Sequence, residues 1–233
     1  MLFKKKYLGI TSAIIAVSEN TKKDIIELLN IPEEKIHVIP HGGPKKESIE
    51  GTPLMDEPYF LYVGTRNYYK NYAQTIKDFS MFAHNHKDIN LVCTGPDFTK
   101  KELAEIDQLG MTGRIVHRRV NDEGLKNLYA NAVAFIFPSL YEGFGLPILE
   151  SFAYGCPVLL NNKSCFPEIA KDAAIYFDSQ PGSSDLIERL EVVYNNDKLR
   201  NEMRTKGYNR LTCYSWDKSA QQLASLYSMV CNE

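Results

Sequence analysis

The feature that most constrains this chain is a regular alternation of short, mostly apolar runs with longer segments of helical periodicity. The runs at 13–17, 36–39, 59–63, 90–93, 114–117, 133–137, 158–160 and 174–177 are apolar at successive rather than alternate positions. A strand needs that pattern when both faces of its sheet are covered. Between them lie helical patterns at 71–83, 99–109, 122–130, 146–154, 184–194 and 197–210, with a last one at 216–229. An early helix is expected at 22–30, with Ser18 or Asn20 as its cap. Strands alternating with helices predict an α/β fold, a doubly wound parallel sheet.

One stretch breaks the alternation. Residues 41–58 carry Gly42, Gly43, Pro44, Gly51, Pro53 and Pro58 and show no apolar period, which marks a connecting segment. It divides the chain into a short N-terminal piece (1–42), a linker (43–58) and a sheet domain with trailing helices (59–233). A net charge of −2, with acidic and basic residues interspersed, excludes the basic patch of a nucleic-acid binder. Five scattered cysteines, Cys93, Cys156, Cys165, Cys213 and Cys231, lack CxxC spacing. They form neither a zinc set nor a disulfide framework, so reduced thiols in the cytoplasm are expected. Lys4, Lys5 and Lys6 precede a moderately apolar stretch, yet Gly9, Thr11 and Ser12 dilute it and no A-x-A site follows, against a signal peptide. No run approaches the length of a membrane span.

The chemistry concentrates where the run at 133–137 ends. There follow Pro138, Ser139, Leu140, Tyr141, Glu142, Gly143, Phe144, Gly145, Leu146 and Pro147. Pro147 suits the first turn of a helix, where its missing N–H costs nothing. Glycines let a backbone approach a ligand closely. A strand, a glycine loop and a helix N-terminus together form an anion site, because free N–H groups and the positive end of the helix dipole converge there. Glu150 lies one turn further on, a carboxylate in an otherwise apolar helix that is costly to bury without a partner. A tight turn alone would also explain the glycines. A second loop, Val63-Gly64-Thr65-Arg66-Asn67-Tyr68-Tyr69-Lys70-Asn71, again joins a strand end to a helix start. Lys70 opposes the dipole there unless an anion is near; two solvated surface charges are the bland alternative for Arg66 and Lys70.

Glu142 and Glu150 stand with seven residues between them, inside FPSLYEGFGLPILESFAYGCPV, and PEIAKDAAIYFD follows. This block resembles the retaining glycosyltransferases of group 1, also called family 4, along its whole length. The resemblance implies a GT-B fold of two Rossmann-like domains, of which this chain matches the C-terminal, donor-binding one. SAIIAVSENTKKDIIELLNIPEEKIHVIPHG is similar to the end of the first domain and its crossover. The rest of that first domain is not in this sequence, so the expectation is either a fragment or one half of a split enzyme.

The implied substrate is a nucleoside diphosphate sugar, linked to UDP or GDP, with no cofactor and no metal. The resemblance puts Arg66 and Lys70 at the diphosphate, although the commoner family arginine directly follows the glycine, where Thr65 stands here. It puts Glu150 on the ribose and Glu142 on the sugar hydroxyls, and expects the backbone of Gly143, Phe144, Gly145 and Leu146 at the phosphates. Gly64 and Gly95 fall at glycines of the pattern, and Val120, after Arg118 and Arg119, falls where the family's loop meets the base. Expected partners are an acceptor glycan or lipid-linked glycan and the missing domain or a partner chain, which would place the protein in the cytoplasm, at the inner membrane face for a lipid-linked acceptor. The alternative is a non-catalytic nucleotide-sugar-binding subunit; a GT-B epimerase is disfavoured because that family lacks EGFGLPILE. His41, in the connecting segment, and Glu168, after Pro167 at a helix start, are read as capping or solvated residues rather than acid–base groups. The last helix is expected to cross back toward the first domain, carrying Trp216, Ala220, Leu223, Ala224, Tyr227 and Val230 as one apolar stripe, in part uncovered.

Overall fold

The computed structural model of the chain describes residues 8, 10–49, 52–180, 183 and 185–231. A small unit comes first: strand β1 (Ile14–Ala16), helix α1 (Glu19–Leu29) and strand β2 (Ile36–Val38). The two strands pair in parallel with Ile14 opposite Ile36, and Ile14, Ala16, Ile31 and Ile36 form its core. Helix α1 begins three residues before the expected start, with Ser18 as cap: its side chain accepts the Thr21 N–H.

The main domain runs β3 (Tyr59–Tyr62), α2 (Tyr72–Asn85), β4 (Asn90–Cys93), α3 (Lys100–Gln108), β5 (Ile115–His117), α4 (Asp122–Asn131), β6 (Ala134–Phe137), α5 (Leu146–Ala153), β7 (Val158–Asn161), α6 (Phe166–Ala170), β8 (Ile175–Phe177), α7 (Asp185–Tyr194), α8 (Asp197–Leu211) and α9 (Trp216–Cys231). Its six strands are all parallel, in the order β5-β4-β3-β6-β7-β8. Every residue of β3, β6 and β7 is buried, which is why these runs read as continuously apolar.

Side-chain alternation sends each strand into two cores. Tyr59, Leu61, Phe135 and Phe137 join the layer under α4, α5 and α6. Phe60, Tyr62, Ala134 and Ile136 join the layer under α2, α3 and α7. Each fully buried Leu, Ile or Phe among them contributes about 1.5–3 kcal/mol.

Residues 41–49 and 52–58 form no helix or strand, as the missing period predicted, yet the segment is fastened to the domain. A Cβ on Gly42 would lie 2.2 Å from the Trp216 backbone N; the Glu47 N–H donates to the Ala153 carbonyl at 3.2 Å; and Lys126 pairs with Glu47 at 3.2 Å. Helix α9 returns to the first unit: Ser219 Oγ donates to the Pro40 carbonyl at 2.5 Å, and Leu226, with Met229, borders β2 at His37 and Val38. Leu226, the buried residue among those described in α9, lies outside the expected stripe. Trp216 and Tyr227 of that stripe are 55% and 60% exposed.

Candidate functional site

The strand order puts β3 beside β6 with the chain running outward from them in both directions. Ligands of doubly wound sheets bind in the crevice beyond the carboxyl ends of such a pair. Both motif loops leave from there. After β3 the chain passes Gly64 (φ +112°) into a 3-10 turn, Tyr68–Lys70, and then Asn71 (φ +55°) opens α2. After β6 it runs through residues 138–145 into α5, where Gly145 (φ +95°) occupies the N-cap without a side-chain cap and Pro147 fills the first turn. The Leu140 N–H donates to the Tyr69 carbonyl at 2.7 Å and joins the two loops.

Lys70 and Glu142 meet across this junction. The ammonium lies 2.6 Å from Glu142 Oε1, with the two side chains 16% and 18% exposed, and 5.3 Å from the centre of the Phe137 ring. The sequence named both residues but not their pairing.

The glycine loop has a backbone arrangement that composition could not reveal: its carbonyls are tied back. The Glu142 carbonyl accepts from Ser164 Oγ at 2.5 Å and Cys165 Sγ at 3.2 Å, and the Phe144 carbonyl accepts from Cys165 Sγ at 3.1 Å. The Gly143 carbonyl accepts from Ser18 Oγ at 2.7 Å and Thr21 Oγ1 at 3.1 Å. The Gly145 carbonyl accepts the Ile148 N–H. Burial raises the Cys165 thiol to about 12, so it stays protonated and remains a donor. Among the described residues no acceptor meets the N–H groups of Gly143, Phe144, Gly145 and Leu146. The first N–H groups of a helix have no partner within it, and successive free N–H groups at a turn make an anion-binding concavity.

Glu150 sits half-buried on α5, its Oε2 accepting from Tyr129 Oη at 3.1 Å. Its pKa is raised by burial, with the Tyr129 hydrogen bond acting against the rise and Asp122 adding to it.

Arg66 and Lys70, both expected at a donor diphosphate, have different partners in the structure. Arg66 Nε lies 2.5 Å from Glu102, and its terminal nitrogen donates to the Pro96 and Asp97 carbonyls at 2.6 and 2.8 Å. The side chain is 4% exposed and lies against Phe98. All these partners follow β4, whereas Lys70 points to the loop after β6, so the two cations part to opposite sides of β3. The reason is local: Glu102 already caps α3 through Thr99 and offers a second carboxylate oxygen close by.

Gly64 and Gly95 touch. A Cβ on Gly95 (φ +101°) would lie 2.5 Å from the Gly64 carbonyl oxygen, whereas one on Gly64 would meet nothing within 4 Å. Val120, half-buried, rests on α4, where a Cβ on Gly124 would reach its own at 2.8 Å. His41 is wedged between Phe144 and Trp216, with ring centres 5.2 and 5.6 Å away. Glu168 does cap a helix, though not its own: its carboxylate accepts the Glu19 and Asn20 N–H groups of α1 at 2.9 and 3.2 Å. Sequence reasoning missed Thr21, Ser164 and Cys165 altogether and saw Ser18 only as a cap. Lone Ser, Thr and Cys residues carry no spacing that announces a contact of this range.

Residues 44–210 match the family model described as glycosyl transferases group 1. The chain belongs to this family. Among its curated relatives, O-antigen chain mannosyltransferase B of Escherichia coli is 28% identical over 96% of this chain and 62% of its own length. O-antigen chain mannosyltransferase RfbU of Salmonella typhimurium is 29% identical over 76% of this chain and 50% of its own. The chain thus spans about half to three-fifths of those relatives. Among solved structures, sucrose-phosphate synthase from Thermosynechococcus elongatus superposes with a TM-score of 0.82 at 18% identity, covering 99% of this chain and 61% of that one. The fold is therefore that of the group 1 family's GT-B neighbours. Among the described residues no helix is long and apolar enough to cross a membrane.

Proposed function

We propose that this chain is the donor-binding half of a retaining glycosyltransferase, moving a sugar from a nucleoside diphosphate to an acceptor hydroxyl in polysaccharide or glycoconjugate synthesis. The observation that carries the reading is the run of unpaired N–H groups at residues 143–146 with Lys70 on the adjoining loop. Both supply positive potential where negative charge would grow on a leaving diphosphate, and preorganised donors of this kind act strongly in a site shielded from water. In the reaction the bond from the anomeric carbon to the diphosphate oxygen breaks and one to the acceptor oxygen forms on the same face, with loss of the acceptor proton.

In this reading the diphosphate takes Lys70 from Glu142, which is then free to hold sugar hydroxyls, and Glu150 receives the ribose. Gly64 and Gly95 keep the β3 and β4 ends low beside the ligand, and the backbone around Val120 faces the base. Arg66 fixes the loop after β4 rather than touching the donor. Relatives named as O-antigen mannosyltransferases favour a hexosyl, and among hexosyls a mannosyl, group, and a glycan or lipid-linked glycan acceptor. Such an acceptor fits action in the cytoplasm, at the membrane face for a lipid-linked one. An N-terminal domain or partner chain would supply the acceptor site.

Calorimetric titration with UDP, GDP, ADP and the corresponding nucleosides, in the presence of EDTA, tests the reading. One diphosphate should bind more tightly than its nucleoside. Failure of every diphosphate to bind would refute it. Turnover, measured with the chain alone and with a candidate acceptor domain, separates an enzyme half from a non-catalytic subunit.

A further inference from the structure

We infer that Ser18 and Thr21, on the unit that precedes the sheet domain, are positioning residues for the donor diphosphate: they set the orientation of the Gly143–Phe144 peptide. The inference rests on the donor reading above. Both residues lie outside the stretch that matches the family model, 44–210, and neither belongs to the loop it holds.

The geometry begins with the peptide plane. The chain has no cis peptide bond among its described residues, so the Phe144 N–H points opposite to the Gly143 carbonyl. Two hydroxyls hold that carbonyl from the α1 side, at 2.7 and 3.1 Å, which turns the Phe144 N–H away from α1. The tie is needed because glycine at 143 and again at 145 leaves this stretch unusually free to rotate. Ser164 and Cys165 fix the neighbouring carbonyls of Glu142 and Phe144 from the other side. Among the described residues, the carbonyl of the 143–144 peptide is the one in this loop held by hydroxyls at the start of α1.

The hydroxyls are well placed to enforce one orientation. Ser18 is wholly buried, so water offers its hydroxyl no alternative partner. Its oxygen accepts the Thr21 N–H at 3.0 Å, and its single hydrogen lies nearer the Gly143 carbonyl, at 2.7 Å, than Thr21 Oγ1, at 3.0 Å. Helix α1 itself is anchored to the sheet domain. Glu168 accepts two N–H groups of its first turn, and Tyr141, in the glycine loop, donates to Asp24. The seating of α1 against α6 therefore decides whether the loop presents its N–H groups to an anion, and the first unit acts on the donor site without touching the donor.

The test compares GDP and UDP with guanosine and uridine by calorimetry on the whole chain and on Thr21→Val, Thr21→Ser and Ser18→Ala/Thr21→Val. Thr21→Val keeps the shape and removes one hydroxyl, and it leaves the Ser18 cap of α1 in place. Diphosphate affinity should fall about threefold in Thr21→Val and about tenfold in the double variant, about 1.4 kcal/mol. Thr21→Ser should retain it, and nucleoside affinity should hold throughout. Two results would overturn the inference while leaving the donor reading intact: unchanged diphosphate affinity in both hydroxyl-deleting variants, or equal losses for nucleoside and diphosphate. A wild-type chain that binds no diphosphate sinks the donor reading first, and this inference with it.

Discussion

Replacing Glu150 by glutamine should strengthen the fold and weaken the site. The side chain is half-buried, with one hydroxyl partner at 3.1 Å, Tyr129, and its pKa is raised by burial from the ordinary 4.5. A carboxyl whose folded pKa is raised binds its proton more tightly folded than unfolded. Folding is thus favoured at low pH, and that advantage is lost as pH climbs from about 4.5 through the folded value. At neutral pH the charged Glu150 is a net burden on stability, and glutamine, of equal size and able to accept the same hydrogen bond, removes it. If the carboxylate holds a ribose, the same change deletes a charged hydrogen-bonding partner, worth about 1.5–3 kcal/mol, or about ten- to a hundredfold in affinity. Denaturant unfolding at pH 5 and pH 8, paired with calorimetric titration of the nucleoside diphosphate, reads both effects. The variant should gain stability at pH 8, gain less at pH 5, and lose nucleotide affinity. Unchanged affinity would remove Glu150 from the site, and a loss of stability at pH 8 would refute the electrostatic argument itself.

Lys70→Ala should weaken diphosphate binding at least tenfold and leave nucleoside binding alone, because its ammonium addresses charge and nothing in its surroundings touches a base; equal losses would mean that it acts through the fold. Gly95→Ala should destabilise the domain by about 1–3 kcal/mol, measured as a shift in the denaturant midpoint, since its Cβ would drive into the Gly64 carbonyl 2.5 Å away at an unfavourable φ. A midpoint within error of wild type would show that the two loop backbones can part freely.

Much of the architecture was legible in the order of residues. Strands buried on both faces are apolar at nearly every position, so β3, β6 and β7, the last apart from its terminal Asn161, announced themselves, as did the helices between them. Their boundaries shifted by a few residues where a cap decided them, as at Ser18. The glycine loop and its two glutamates were equally visible, because Gly143, Gly145 and Pro147 in succession mark a turn into a helix start.

Tertiary structure alone decided which charges meet. Arg66 and Lys70 are four apart in sequence, yet β4 and β6 flank β3 on opposite sides, so one cation joins Glu102 and the other Glu142. Glu168, which looked like a cap for its own helix, caps α1 instead. The hydroxyls and thiol that tie back the loop carbonyls come from residues 18, 21, 164 and 165, far apart along the chain. A single serine or threonine has no periodicity to betray its partner. Local sequence specifies elements because backbone geometry repeats, but the pairing of distant side chains is set only when packing brings their elements together.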